Sequence, residues 1–208
     1  MARSGSKSSR RWLDEHASDQ YVKMAAADGY RSRAVYKLIE LNEKDQLIQP
    51  SSTILELGAA PGGWTQFLSR TAGPSAAIVA SDILPMDGLP GVDFVLGDFT
   101  EQQTADSIQL AMKNRKADLV LSDMAPNISG VGVSDQARAM ALVELALDTA
   151  VQFLAPNGAF VVKVFQGQGF DEYMKQVRNQ FRTVRTRKPA ASRARSREVY
   201  VVARNLLL

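Results

Sequence analysis

The sequence predicts an α/β fold in which a mostly parallel β-sheet is covered by helices on both faces. Short continuous apolar runs alternate with stretches that have helical spacing, which is typical of strands buried on both faces. A glycine-rich segment, Gly58 to Gly63, follows the first of these runs directly. Small residues between a strand and a helix let a ligand approach the backbone, so this turn indicates a binding site at the edge of the sheet.

The predicted elements follow one another in a regular order. A first helix is expected from about Arg33 to Lys44, with Ser32 as its N-cap. The apolar runs that predict strands are Thr53–Leu57, Ala76–Ser81, Val92–Leu96, Leu119–Ser122 and Ala159–Phe165, and the helix candidates between them are Trp64–Thr71, Thr104–Arg115 and Gln136–Leu154. The pattern then predicts a helix near Phe170–Phe181, a strand near Thr183–Arg187, a long basic loop over Lys188–Ser196 and a last strand at Val199–Ala203.

Length and composition are those of one ordinary globular domain. The chain has 208 residues, of which 45% are hydrophobic and 23% are charged. We expect a single domain over residues 31–208, preceded by a basic, partly disordered extension over residues 1–30. No apolar run approaches the roughly 20 residues needed to cross a bilayer, and the N-terminus lacks the apolar core of a secretory signal. These features predict a cytoplasmic protein.

Cysteine is absent, and His16 is the single histidine. The lack of cysteine excludes disulfides, thiolate metal sites and cysteine nucleophiles. One histidine near a basic terminus argues against a histidine metal site or a Ser-His triad, and is expected to be solvated. We therefore expect no metal, and any acid–base chemistry must come from Lys, Asp, Glu or Tyr.

Basic residues concentrate in two segments that contain no acid, although the net charge is only +3. Their members are Arg3, Lys7, Arg10 and Arg11 in the first segment, and Arg182, Arg185, Arg187, Lys188, Arg193, Arg195 and Arg197 in the second. Such segments indicate a polyanionic partner, and the planar guanidinium suits phosphate, which favours RNA over the alternative of a solvated basic surface. The candidate RNA-binding residues are Arg10, Arg11, Arg31, Arg33, Arg193, Arg195 and Arg197.

The turn after the first strand is a candidate cofactor site. Its glycines, Gly58, Gly62 and Gly63, have the spacing G-x-x-x-G-G and are followed by Trp64. This spacing differs from the dinucleotide fingerprint and from the Walker pattern, which needs a Lys after its last glycine. The loop has no lysine to bind phosphate, so a phosphate-free cofactor is favoured over a nicotinamide or a nucleoside triphosphate.

Two acids lie at the ends of the next two strands. Asp82 ends the second strand, where a carboxylate can accept hydrogen bonds from a ribose diol. Asp98 comes just after the third strand, where a carboxylate can accept from the exocyclic amine of adenine. Each could instead cap the following turn, but both lie at the ends of the strands that follow the glycine-rich turn. Together they predict an adenosine site, with S-adenosylmethionine as the leading candidate.

Four charged residues are candidates for the reacting site. Asp123 follows the fourth strand, Lys163 interrupts the apolar fifth strand, Glu198 stands near the start of the last strand, and Lys37 lies beside the stripe of the first helix. A lysine in so apolar a run is costly without a partner or a role, whereas Lys37 alone is typical of a helix surface. We expect the four side chains to converge.

The predicted chemistry is removal of a proton from a ribose hydroxyl of the RNA substrate, which accepts the methyl group. A lysine can accept that proton if burial or a second cation depresses its pKa from about 10.4. We assign Lys163 as the proton acceptor, with Lys37 and Glu198 positioning the ribose and tuning Lys163. Asp123 would orient Lys163 and lie near the methionine moiety of the cofactor.

Long strings of the sequence resemble the bacterial FtsJ/RrmJ family of ribosomal RNA methyltransferases. The matching strings are Ser9-Arg10-Arg11-Trp12-Leu13, Arg31-Ser32-Arg33-Ala34, Leu57 to Trp64, Leu84-Pro85-Met86-Asp87, Gly91-Val92-Asp93-Phe94, Ser122 to Asn127, Val161 to Gly167, Gly169 to Tyr173 and Ser192 to Tyr200. The family's Lys-Asp-Lys-Glu tetrad falls on Lys37, Asp123, Lys163 and Glu198, and its cofactor positions fall on Gly62, Trp64, Asp82, Asp98 and Asp123. One departure is Glu56, where the first motif is expected to have Asp.

This resemblance implies a Rossmann-like, class I S-adenosylmethionine-dependent methyltransferase fold with seven strands, mostly parallel, the last one antiparallel. It also implies 2′-O-methylation of uridine 2552 in the A loop of 23S rRNA, within the large ribosomal subunit. It implies no membrane and no obligate protein partner.

Other functions fit the residues less well. Methylation at pyrimidine C5 needs a cysteine nucleophile, which the chain lacks. Methylation of an exocyclic amine usually uses an Asp/Asn-Pro-Pro turn with an aromatic residue, whereas this turn reads Asp-Met-Ala-Pro-Asn from Asp123 to Asn127. The alternative from another class is a non-catalytic, RNA-binding ribosome assembly factor that retains the cofactor fold. Such a protein has no need for a buried Lys163.

Overall fold

The computed structural model describes residues 18–126 and 132–207. Its strands form one seven-stranded sheet in the order β3-β2-β1-β4-β5-β7-β6. The strands are β1 (Thr53–Leu57), β2 (Ala77–Asp82), β3 (Val92–Leu96), β4 (Ala117–Ser122), β5 (Leu154–Phe165), β6 (Phe181–Arg187) and β7 (Glu198–Leu206). Strands β1 to β5 pair in parallel, and β7 is antiparallel to both β5 and β6. The predicted mostly parallel sheet with an antiparallel last strand is confirmed.

Helices cover both faces of this sheet, as predicted. They are α1 (Gln20–Ala27), α2 (Val35–Asp45), α3 (Gly63–Thr71), α4 (Gln102–Ala111), α5 (Gly132–Phe153) and α6 (Phe170–Gln180). Leu38 of α2 and Leu68 of α3 pack in one core with Ile54 of β1. Leu55, the next residue of β1, packs in a second core with α4, α5 and α6. Successive strand residues point to opposite faces, so the continuous apolar strands fill both cores.

Several element boundaries differ from the prediction, and three of them have a visible cause. Ala34, not Ser32, is the N-cap of α2; the Ser32 hydroxyl accepts from the Ala34 N–H at 3.1 Å and so holds the turn before the helix. Helix α4 ends at Ala111 because Lys113 and Asn114 adopt positive φ angles, which stop a helix. Strand β5 begins at Leu154, ahead of the predicted start, because that residue pairs with β4.

Helix α1 lies in the segment that the sequence assigned to the N-terminal extension, and no helix was predicted there. The side chain of Asp19 caps it by accepting from the Tyr21 N–H at 2.9 Å. Ala25 is buried in a small core with Tyr36 of α2, and the Tyr36 hydroxyl donates to Asp28 at 2.6 Å. The described part of the extension therefore packs on α2.

The switch in strand order lies between β1 and β4, which are hydrogen-bonded neighbours. From β1 the chain passes to β2 and β3 on one side, and from β4 to β5 on the other. Ligands of open α/β sheets bind beyond the carboxyl ends of the strands at such a point. Because β7 is antiparallel, the start of β7 lies at this same edge.

Candidate active site

The glycine-rich turn packs closely at the switch point, and its glycines are required there. Gly58 and Gly62 have φ angles of 75° and 99°, which favour glycine. A Cβ atom at Gly58 would overlap Met124, which follows β4, and one at Gly62 would lie 2.6 Å from the sulfur of Met86. The turn therefore lies against the segment that carries Asp123, with its backbone open to a close approach.

Helix α3 begins at Gly63, close to the start of α2. A Cβ atom at Gly63 would lie 2.8 Å from the Ser32 hydroxyl oxygen. The Trp64 indole is buried, with 3% exposure, and donates to the Ala34 carbonyl oxygen at 2.7 Å. Its side chain thus supports α2, and what Trp64 can offer a ligand is the backbone N–H at the start of the helix.

The two acids predicted to bind adenosine lie at the ends of adjacent strands. Asp82 accepts from the Ala60 N–H and from the Leu84 N–H, each at 2.8 Å. Asp98 accepts through Oδ1 from the backbone and hydroxyl of Thr100, at 2.9 and 2.7 Å. Each carboxylate oxygen has more than one lone pair, so both acids order their own turns and can still accept from a ligand.

Exposed apolar side chains surround these acids. Ile83 is 65% exposed, and Leu84 and Leu96 are each 59% exposed. Exposed apolar groups beside polar acceptors suit a ligand with a flat apolar ring and hydrogen-bond donors at its rim. Together with the glycine turn, which a Cβ would obstruct, they fit an adenosine group.

Glu56 is a buried carboxyl group beneath the turn. It accepts from the Thr65 hydroxyl at 2.7 Å. Burial raises the pKa of Glu56 to about 8; the Thr65 hydrogen bond opposes this, and Asp123 and Asp82 add to it. At neutral pH the group is therefore largely protonated and places little negative charge under the turn.

Lys163 and Asp123 form a buried pair at the carboxyl ends of β5 and β4. The Lys163 ammonium nitrogen lies 3.1 Å from Asp123 Oδ1 and donates to the Asp123 backbone oxygen at 2.6 Å. The Lys163 side chain is only 8% exposed. Asp123 thus fixes the position of the amine with two different atoms.

Lys37 and Glu198 form a second pair beside the first. The Lys37 nitrogen lies 2.7 Å from Glu198 Oε1, and these side chains are 12% and 11% exposed. Burial alone would raise the pKa of Glu198, but Lys37, together with Ser192 and Lys163, outweighs it and the pKa lies below its usual value. Glu198 is therefore ionised and holds the Lys37 ammonium.

Tyr200 joins the two pairs, and the sequence analysis did not select it. Its hydroxyl donates to Asp123 Oδ1 at 2.6 Å, and its ring lies 5.7 Å from the Lys37 nitrogen. Burial, followed by Asp123 and Glu198, holds the pKa of Tyr200 well above its usual value. The register of β7 gives the signal that was missed: Tyr200 pairs with Lys163 and lies two residues after Glu198 on the same face.

The structure therefore brings Lys37, Asp123, Lys163 and Glu198 together around Tyr200. The Trp64 ring, at the start of α3, lies 5.9 Å from the Tyr200 ring. The amines thus lie at the same edge of the sheet as the glycine-rich turn.

Two candidate RNA-binding arginines make internal contacts. Arg31 donates to the carbonyl oxygen of Asp87 at 2.8 Å and bridges the glycine-rich turn to the segment after β2. Arg33 contacts the Asp19 carboxylate and donates to the Ala191 carbonyl oxygen. Both residues therefore connect distant segments of the chain.

The basic loop between β6 and β7 is tied to α2. The Glu40 carboxylate accepts from the backbone N–H groups of Ala190 and Ala191, at 2.7 and 2.9 Å. Lys188 closes the far side of the loop by donating to the carbonyl oxygens of Ser196 and Glu198, both at 2.6 Å. The loop is thus held at both ends.

This loop borders a cavity beside the Lys37–Glu198 pair. The cavity has a volume of about 440 Å³ and is lined by Arg33, Ala34, Lys37, Arg193, Arg195, Ser196 and Glu198. Arg197 is exposed, and its guanidinium lies near Gly167 rather than in the cavity lining. Arg10 and Arg11, like His16 and Asn127, lie outside the described residues.

Among residues 18–126 and 132–207, no group of three or more His, Cys, Asp or Glu side chains could hold a metal ion. Within the same ranges, no helix has the length and apolar character needed to cross a bilayer.

Comparison with known proteins identifies relatives over nearly the whole chain. The model of the FtsJ-like methyltransferase family matches residues 30–206. The ribosomal RNA large subunit methyltransferase E of Marinobacter nauticus is 59% identical over 204 residues, which cover 98% of each chain. The protein of the same name from Chromohalobacter salexigens is 58% identical over 205 residues, again 98% of each chain.

Solved structures show the same fold. A protein from Plasmodium falciparum, described as a ribosomal RNA methyltransferase, has a TM-score of 0.75 at 27% identity, covering 86% of this chain and 99% of its own. A Streptococcus mutans protein described as a methyltransferase, solved in complex with SAH, has a TM-score of 0.53 at 16% identity, covering 81% of this chain and 97% of its own.

Proposed function

This chain belongs to the FtsJ-like methyltransferase family, and we propose that it methylates the ribose 2′-hydroxyl of a uridine in 23S rRNA, using S-adenosylmethionine. The observation that carries the proposal is the cluster of two lysine–carboxylate pairs around Tyr200, beside the glycine-rich turn. A cluster of this kind can accept a proton. Transfer of a methyl group to a hydroxyl requires this, because the hydroxyl loses its proton as its oxygen is methylated. The target within the A loop, uridine 2552, follows from the family resemblance.

The cofactor residues are Gly62, Gly63, Trp64, Asp82, Asp98 and Asp123. S-adenosylmethionine supplies a methyl group on a sulfonium sulfur, so that the carbon–sulfur bond breaks as the new carbon–oxygen bond forms. Asp82 would accept from the ribose diol and Asp98 from adenine, while the glycines let the ligand approach the backbone. Asp123 follows β4, the neighbour of β1 at the switch in strand order, where its carboxylate would lie near the methionine moiety.

Lys163 would take the proton from the 2′-hydroxyl. It would accept as a neutral amine and become an ammonium that Asp123 stabilises at 3.1 Å. Glu198 holds Lys37 at 2.7 Å, so Lys37 can bind the ribose or its phosphate without moving. Alignment of the reacting atoms by such fixed groups can contribute several kcal/mol, up to about 7–11 for an ideal arrangement.

The RNA would enter over the cavity beside Lys37 and Glu198. Its lining contains Arg33, Arg193 and Arg195, and guanidinium groups bind phosphate with good geometry. Arg10, Arg11, Arg31 and Arg197 complete the proposed RNA-binding set. The large ribosomal subunit in the cytoplasm is the proposed partner and place of action.

The test is methyl transfer to large ribosomal subunits that lack the modification. Wild-type protein is incubated with labelled S-adenosylmethionine, and the methylated nucleotide is mapped in the rRNA. We expect one labelled uridine 2′-oxygen with wild-type protein and none with Lys163→Ala. The variant should keep its affinity for cofactor and RNA, measured by calorimetry and filter binding.

Two results would contradict the proposal. A label on a base rather than on a ribose would assign a different acceptor. Binding of subunits by wild-type protein without any transfer would favour the alternative, an RNA-binding ribosome assembly factor that retains the cofactor fold.

A further inference from the structure

A second basic cavity lies at the other end of α2, away from the reacting residues. It has a volume of about 330 Å³, and its lining includes Lys44, Asp45, Arg185 and Arg204. Along β6 and β7, Arg187, Arg185 and Thr183 pair with Tyr200, Val202 and Arg204. Alternate residues of a strand share a face, so this cavity lies on the α2 face of the sheet, the face that also carries the lysine pairs.

Cations outnumber acids in this cavity. Asp45 accepts from Arg187 at 2.8 Å through both oxygens, and its side chain is only 2% exposed. Arg185 lies 3.6 Å from the same carboxylate and is 59% exposed. In the described ranges, Asp45 is the one carboxylate that forms an ion pair with these arginines. Lys44 makes no hydrogen bond or ion pair within those ranges, so one acid faces the three cations that line the cavity and Arg187 beside it.

Only some of these cations are needed to bind the C-terminal end of α2. Helix carbonyls at a C-terminus attract cations, and Arg204 donates to the carbonyl oxygens of Asp45 and Gln46. Arg187 and Arg204 are therefore committed to holding α2 on the sheet. The positive charge of Lys44 and of the exposed Arg185 is in excess of what the fold uses.

We propose that Lys44 and Arg185 bind a backbone phosphate of the RNA substrate at a second site, separate from the cavity beside Lys37 and Glu198. This inference rests on the proposed function. Lys44 lies two helical turns from Lys37, about 10 Å along the axis, and Arg204 lies about 20 Å along β7 from Glu198. The phosphate bound here therefore belongs to a nucleotide several positions from the methylated one, or to the opposite strand of a stem.

The experiment compares two double variants that remove the same charge from opposite faces. K44Q/R185Q removes the proposed site, and K175Q/R178Q removes two exposed cations from α6, on the other face. Both are measured for affinity to large-subunit rRNA over a range of salt and for steady-state methyl transfer. Thermal unfolding verifies that each is folded.

We expect the slope of log affinity against log salt to become shallower by about 0.7 to 0.9 for K44Q/R185Q, because the two side chains bind one phosphate and each phosphate contact contributes about that much. The KM for RNA should rise about ten-fold while kcat at saturating RNA stays unchanged. K175Q/R178Q should match wild type. Equal slopes and equal KM values for the two double variants would overturn the proposal.

The readouts also separate this inference from the proposed function. If wild-type protein binds rRNA but transfers no methyl group, the proposed function fails while the salt slopes still decide the second site. If wild-type protein transfers the methyl group and K44Q/R185Q behaves like wild type, the second site alone is wrong.

Discussion

Ion pairs hold the two ends of α2 on the sheet, and the two ends are built differently. At the N-terminal end, the Lys37 ammonium lies 2.7 Å from Glu198, beside the Lys163–Asp123 pair. At the C-terminal end, Asp45 accepts two hydrogen bonds of 2.8 Å from the Arg187 guanidinium. The cation comes from the helix at one end and from the sheet at the other.

The difference lies in what each cation can do. A guanidinium stays protonated in proteins, and its planar fork fixes a carboxylate through two bonds. A lysine amine can lose its proton and regain it. Under the proposed mechanism, the fold has arginine where it needs a permanent attachment and lysine where a proton would move.

The largest expected effect on activity comes from replacing Lys163, beside the N-terminal end of α2, by arginine, the type of cation found at the C-terminal end. Lys163→Arg keeps the positive charge but removes an amine that can be deprotonated. We expect the single-turnover rate of methyl transfer to fall 10²- to 10⁴-fold, about 3 to 5 kcal/mol, which is the range for a general base. Labelled cofactor and large subunits provide the measurement.

The surface substitution Lys175→Arg serves as the control and should keep the wild-type rate. Lys163→Met, which removes the charge as well, should lose at least as much activity while retaining cofactor affinity. A Lys163→Arg protein with more than a tenth of the wild-type rate would show that Lys163 is not the proton acceptor.

The next largest effect is a loss of unfolding free energy when the ion pair at the C-terminal end of α2 is broken. Asp45→Asn leaves Arg187 without its anion; because Arg187 is 28% exposed and can be hydrated, we expect a loss of about 2 to 3 kcal/mol, below the usual 3 to 5 for a buried pair. Urea unfolding at neutral pH measures it. The exposed Asp93→Asn should change stability little, and the kcat of folded Asp45→Asn protein at saturating RNA should be unchanged.

The pH dependence of stability provides a second test of the Asp45–Arg187 pair. The hydrogen bond from Arg187 lowers the pKa of Asp45 from its ordinary value of 3.8, against the opposing effect of burial. The pair therefore stabilises the protein fully above that ordinary value, and its contribution is lost as the pH falls through the lower, folded-state pKa. Thermal unfolding between about pH 5 and pH 2 should show the wild-type advantage over Asp45→Asn shrinking; a constant difference would mean that folding does not lower the pKa of Asp45.

The smallest effect tests the residue that joins the two lysine pairs. Tyr200→Phe removes the hydroxyl that donates to Asp123 at 2.6 Å. A hydrogen bond to a charged group is worth about 1.5 to 3 kcal/mol, of which we expect the lower part to appear as a roughly ten-fold fall in kcat.

Tyr173→Phe is a matched control for this prediction. Tyr173 lies on the buried face of α6, and its hydroxyl has no hydrogen-bond partner among the described residues. It should keep the wild-type rate and lose no stability. Equal rates for Tyr200→Phe and wild type would mean that Tyr200 only fills space between the pairs.

The sequence predicted the elements that local apolar patterning controls. Each continuous apolar run became a strand, because both faces of a parallel strand are buried and the signal is strong. Helix α1 was missed because it is only eight residues long, and it is held on α2 by contacts such as Tyr36 to Asp28. Ser32 was misassigned as a cap because a turn precedes α2.

The candidate site was predictable where residues end a strand. Asp82 ends β2, Asp98 lies two residues after β3 and Asp123 follows β4 directly, so their position follows from the topology rule alone. Tyr200 was not predictable in this way, since its contact with Asp123 needs the antiparallel register of β7. The Asp45–Arg187 pair joins residues 142 positions apart, and no local pattern reports such a distance.

The attachment of the basic loop to α2 has a thermodynamic consequence for RNA capture. Glu40 and Lys188 fix the loop in the free protein, so little conformational entropy remains to be lost when the nucleic acid arrives. The enzyme would then present a preorganised binding surface to the RNA. Calorimetry should record a modest heat-capacity change on association, smaller than the change seen when a protein folds as it binds.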